Sequence, residues 1–182
     1  MSGSNTIYEG RIVSLRIEPV TLPNGERFEM EIVSHPGGAA TVALDEAGRV
    51  CLLHQYRHAV GGWLWELPAG KIDAREPPLT TAQRELAEEA GVGANHWRAL
   101  GEIVSSPGVF TERVYLYLAT GLRPVAARAE PHEVFEIHWL ALEEAVHLAA
   151  SGEYTDAKTV VGLLRTAALS PAERAPVPEQ AT

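Results

Sequence analysis

The chain has 182 residues, a formal net charge of −9, 46% hydrophobic residues and 21% charged residues. That length suffices for one domain with a real core, or for a domain with a small extension. The acidic balance argues against a protein that binds nucleic acid through a basic face, no apolar run approaches the ~20 residues needed to span a bilayer, and the single cysteine, Cys51, excludes an internal disulfide or a cysteine-based zinc site.

The first residues, Met-Ser-Gly-Ser-Asn-Thr, lack the basic and apolar regions of a signal peptide, which makes the cytoplasm the default compartment. Residues 7–34 alternate apolar and polar around the turn signal Pro23-Asn24-Gly25, and predict a small antiparallel meander. Pro36-Gly37-Gly38 ends it, so residues 1–38 read as an N-terminal unit. Two apolar strands follow, Ala40–Leu44 and Val50–Gln55, and then a loop and short strand over residues 61–69.

Next comes the densest chemistry of the chain. Glu76, Glu85, Glu88 and Glu89 crowd around Arg84, bracketed by Gly70 and Gly91. Carboxylates that close repel one another unless a hard cation sits among them. Ala82, Leu86 and Ala90 form an apolar stripe at helical spacing. Thr80 with Gln83 reads as a capping box, and Gly91 as the helix stop. Glu85, Glu88 and Glu89 then project from one side of that helix. Taken alone, Glu-x-x-Glu-Glu on a helix is a solvated acidic face. The spacing around it says more.

Gly70, five residues, Glu76, seven residues, Arg84-Glu85-Leu86, one residue, Glu88-Glu89, one residue, Gly91-Val92 resembles the complete signature of the Nudix hydrolases. No fixed position departs from it. The resemblance implies an α/β fold, an α/β/α sandwich on a mixed sheet, here with a small N-terminal antiparallel sheet. It also implies Mg²⁺, with Mn²⁺ accepting similar ligands, in two or three ions held by Glu85, Glu88, Glu89 and the Ala69 carbonyl. Gly70, Glu76 and Arg84 are similar to the structural braces of the loop.

Further along the chain, a strand is expected near residues 100–104, a second over Val114–Ala119, a loop over residues 121–132 and a strand over Glu133–Leu140. Leu142–Ala150 and Asp156–Leu169 read as helices, closing a domain over residues 39–169. From Ser170 the tail lacks apolar periodicity and reads as disordered.

Three features resemble the ADP-ribose pyrophosphatase branch of that family. Pro107 lies fifteen residues after Val92, and by the resemblance Glu112 meets the ribose side of the substrate. Gln55-Tyr56-Arg57 is similar to the branch's Gln-x-Arg, whose arginine meets phosphate. Glu133, ahead of Val134-Phe135-Glu136, aligns with the general base, with Glu130 as the fallback. The branch also resembles swapped homodimers in which the N-terminal sheet reaches the partner's adenine pocket, and Arg27 and Phe28 are the candidates for that contact.

The resemblance therefore implies hydrolysis of a nucleoside diphosphate sugar, ADP-ribose to AMP and ribose 5-phosphate. The catalytic residues are then Glu133, Glu85, Glu88 and Glu89, and the substrate-binding residues are Arg57, Glu112, Arg27 and Phe28. The expected partner is a small-molecule nucleotide sugar, not nucleic acid or membrane. Alternatives are GDP-mannose, NADH or FAD as substrate, a nucleoside triphosphatase, or a regulator that binds nucleotide sugars without turnover.

Overall fold

The computed structural model describes residues 5–127 and 133–175. Its first three strands, β1 (Asn5–Glu9), β2 (Ser14–Thr21) and β3 (Arg27–Ser34), form an antiparallel sheet of their own. Ile7, Tyr8 and Phe28 stand exposed on it, and Ile12 on the turn between β1 and β2.

The remaining strands are β4 (Gly38–Ala43), β5 (Arg49–Arg57), β6 (Gly62–Glu66), β7 (Ala69–Lys71), β8 (Val92–Val104), β9 (Arg113–Pro124) and β10 (Phe135–Ala141). They form a four-stranded sheet of order β7-β4-β9-β8 and a three-stranded sheet of order β10-β5-β6. β4 and β9 run parallel, whereas β7 and β8 pair antiparallel to them, so the larger sheet is mixed. The helices are α1 (Pro78–Ala90), α2 (Leu142–Ser151), α3 (Ala157–Ala168) and the single-turn α4 (Pro171–Arg174).

Strand parity explains the layers. Val42 of β4, Val50 and Leu52 of β5, and Leu116 and Leu118 of β9 pack with Leu142, Ala145 and Leu163 of α2 and α3. Ala43, Cys51 and Ala119, one residue out of phase, meet Leu86 of α1 on the opposite side. Two apolar faces need two covers, and the result is an α/β/α sandwich. Leu86 is fully buried, a contribution of about 1.5–3 kcal/mol.

Four sequence expectations are corrected. The capping box at Thr80 and Gln83 does not form. Helix α1 starts at Pro78, behind an extended Pro77 with no side-chain cap, because proline is tolerated at the first helical position. Strand β8 is thirteen residues long, not a short strand near residue 100. Strand β9 runs on through Pro124, into what reads as loop. The tail begins with a helical turn, where no element was expected. Ser170 and Glu173 form a capping box on α4, and Arg98 donates to the Glu173 carbonyl at 3.1 Å and carboxylate at 3.0 Å. Residues 176–182 lie outside the described residues. Gly91 does stop α1, at φ +65°, donating to the Ala87 carbonyl at 3.1 Å.

Candidate active site

The turn between β7 and α1 and the polar side of α1 form one wall of a cavity of about 770 Å³. Glu85 and Glu89 sit one helical turn apart and are 9% and 2% exposed. Ala69 N–H donates to Glu89 Oε2 at 2.8 Å. Gly70 is the reason Glu85 fits. A Cβ at residue 70 would stand 1.9 Å from Glu85 Oε1, so only glycine lets the strand and the carboxylate approach this closely.

Arg84 ties the motif together. Its Nε and Nη2 donate to Glu76 at 3.2 and 3.0 Å, and its Nη1 donates to Glu85 at 2.6 Å and Glu88 at 3.1 Å. The Thr81 hydroxyl adds a bond to Glu76 Oε2 at 2.8 Å. Glu76 is therefore held below the ordinary carboxylate range, chiefly by Arg84. The helix glutamates go the other way. Burial pushes Glu89 up to about 8, and the charges of Glu85 and Glu133 add to it. Burial also raises Glu85, despite Arg84. One arginine does not balance these carboxylates, and a divalent cation would supply the missing charge.

The donor set fits such an ion: hard carboxylate oxygens of Glu85, Glu88 and Glu89, with a backbone carbonyl at Ala69 on the adjoining strand. Among the described residues, no three His, Cys, Asp or Glu side chains already converge as a cage. Mg²⁺ keeps several waters and needs few protein ligands, so donor chemistry is the better guide here than a ready-made cage.

The cavity also gathers residues from distant segments. Arg57, Glu112 and Glu133 all line it. Arg57 is not a free surface cation: its Nε and Nη2 fork onto Glu66 at 2.7 and 3.0 Å. Glu112 lies 3.4 Å from His35 Nδ1, which accepts the Gly37 N–H at 3.0 Å. Glu133 faces the same space, while Glu136 sits on β10 beside His138. Glu130 lies outside the described residues.

Arg27 and Phe28 are exposed on β3 and do not reach this cavity. From the N-terminal sheet region, Arg11 and Ile12 do. Sequence reasoning also missed His35, Glu66 and Lys158. Glu66 carried a signal, as a lone carboxylate inside Trp63-Leu64-Trp65-Glu66-Leu67, since a buried acid needs partners.

The NUDIX domain family model matches residues 34–161. The chain belongs to the Nudix family. It is 40% identical over 170 residues to an ADP-ribose pyrophosphatase of Mycobacterium tuberculosis, covering 92% of this chain and 82% of that one. It is 34% identical over 174 residues to the CMP-5'-(N-acetyl-N-hydroxy-3-aminopropyl)phosphonate hydrolase of Streptomyces rubellomurinus, covering 96% and 84%. A crystal structure of an ADP compounds hydrolase superposes with a TM-score of 0.75 at 20% identity, covering 92% and 94%, and shares the fold. The chain is thus a Nudix hydrolase, and Nudix hydrolases are generally divalent-metal dependent. Among the described residues of this Nudix hydrolase, no helix is long and apolar enough to cross a membrane.

Proposed function

We propose that the chain is a Mg²⁺-dependent pyrophosphatase of nucleoside diphosphate sugars, acting on ADP-ribose to give AMP and ribose 5-phosphate. The observation that carries this reading is the meeting of Arg57, Glu112 and Glu133 with the Glu85–Glu88 wall in one cavity. The relatives named ADP-ribose pyrophosphatase support the substrate class.

Glu85, Glu88, Glu89 and the Ala69 carbonyl would hold two or three Mg²⁺ ions, which when bound neutralise diphosphate charge and acidify a water. Arg57, preset by Glu66, binds a phosphate oxygen. Glu112, on the cavity wall, accepts a ribose hydroxyl. Glu133 takes the proton of the attacking water onto its carboxylate. The water's oxygen ends on the attacked phosphorus, and the other phosphate departs with the bridging oxygen. The exposed apolar residues of β1–β3 support a homodimer in which that sheet, with Arg27 and Phe28, meets a second copy.

The test is incubation with Mg²⁺ and a panel of ADP-ribose, GDP-mannose, NADH, FAD and nucleoside triphosphates, with products identified by mass. AMP with ribose 5-phosphate is the expected outcome for ADP-ribose. Cleavage of triphosphates alone would sink the reading. Full turnover by Glu89→Gln at saturating Mg²⁺ would sink the ligand assignment.

A further inference from the structure

Lys71 and Lys158 are the only two lysines of the chain, and both line the cavity. They differ in setting. Lys71 is half-exposed beside Asp73. Lys158, the second residue of α3, has a side chain only 16% exposed, and its Nζ donates to Glu66 Oε2 and, at 3.0 Å, to Asp156 Oδ1. An ammonium carries three N–H donors. Two are taken by these acids, and Lys158 lines the cavity with one donor left over.

Lys158 balances the charge of Asp156, but Glu66 does not require it. Arg57 alone already satisfies both oxygens of Glu66, at 2.7 and 3.0 Å. Adding a second buried cation brings a further desolvation cost. Nor does cap chemistry require it. Asp156 caps α3 through the Thr159 N–H at 3.0 Å and hydroxyl at 2.6 Å, without Lys158. What Lys158 adds is a second positive donor at the wall that carries Arg57, held on the same buried carboxylate. Donors fixed in advance by protein acids lose little freedom when an anion arrives.

We infer that Lys158 is a substrate-binding residue whose third N–H donates to a phosphate oxygen of the bound diphosphate, beside Arg57, with Glu66 as the positioning residue for both cations. This rests on the reading that the cavity takes a diphosphate.

Two variants test it. Lys158→Met removes the donor. Asp156→Asn/Lys158→Met removes it while leaving the buried charges balanced as Glu66 with Arg57, and asparagine keeps the helix cap. Calorimetric titration in EDTA uses two probes, ADP-ribose and inorganic pyrophosphate, and circular dichroism melting reports the fold. Both variants are expected to bind both probes about tenfold more weakly than the wild-type protein, the scale of one charge-assisted hydrogen bond. If the single variant melts early, the balanced double variant carries the test. A double variant that melts as the wild-type protein does and binds both probes as tightly overturns the inference. Pyrophosphate binding that falls in the variants, with no ADP-ribose binding even by the wild-type protein, upholds Lys158 and counts against the sugar reading alone.

Discussion

Arg84 forks onto Glu76, closing the loop ahead of α1 onto the helix at 3.2 and 3.0 Å, and still has Nη1 left for Glu85 and Glu88. Lysine keeps the charge but not the fork. Arg84→Lys is expected to lower kcat/KM by roughly 10–100-fold, the usual scale for a residue that orients metal ligands. Steady-state kinetics at saturating Mg²⁺ measures it, and wild-type kcat/KM would show that the fork is dispensable.

Gly70→Ala separates site geometry from stability. The new Cβ would lie 1.9 Å from Glu85 Oε1 and 2.0 Å from its Cδ. The atoms that must give way are the end of a flexible side chain, so the fold survives while the carboxylate moves. Tm is expected to hold, and the Mg²⁺ concentration for half-maximal turnover to rise on the order of tenfold. A collapse of Tm with unchanged Mg²⁺ dependence would contradict this.

Glu66 sets an acid limit on stability. Burial alone would raise its carboxyl, but the Arg57 hydrogen bond and the charges of Lys158 and Arg57 bring it below the ordinary value of 4.5. A depressed folded-state value means that this contribution is complete above about 4.5 and drains away as pH falls through the folded value. The Tm of the wild-type protein should therefore fall more steeply below that pH than the Tm of Glu66→Gln. Calorimetric melting across the acid range measures both slopes, and equal slopes would refute the assignment.

Cys51 is fully buried between β5 and α1, and burial first, then the charge of Glu89, pushes its thiol up to about 12. A thiol-specific reagent at mild alkaline pH should find no reactive group in the folded protein and a single equivalent after denaturation. Rapid labelling of the native chain would show that this face opens readily.

The local parts of the site were legible in the sequence because they lie on one turn and one helix. Arg84 and the three helix glutamates are placed by the helical spacing of α1, and Gly70 and Glu76 lie on the strand and turn just before it. The strands flanking the core were legible from apolar runs. The full length of β8 was not: Gly93, Ala94 and Asn95 are poor strand formers, and only pairing with β9 makes them strand. The cap of α1 was misread because a threonine-glutamine pair and a proline compete for the same turn, and Pro78 starts the helix earlier. The pairing of Glu66 with Lys158 was beyond local reasoning, since the bond between them spans 92 residues.

That same span gives the site a history. The Leu67 N–H, beside Glu66, donates to Thr159 Oγ1 at 2.8 Å, also across 92 residues. On a ribosome adding about 5–20 residues per second, Glu66 and Leu67 are made roughly 5–20 s before the helix that completes their bonds. In that interval α1 is synthesised, but Glu66 and Leu67 still lack Lys158 and Thr159. A chain that stops short of α3 thus carries the whole signature without the two bonds that brace the strand end at Glu66 and Leu67.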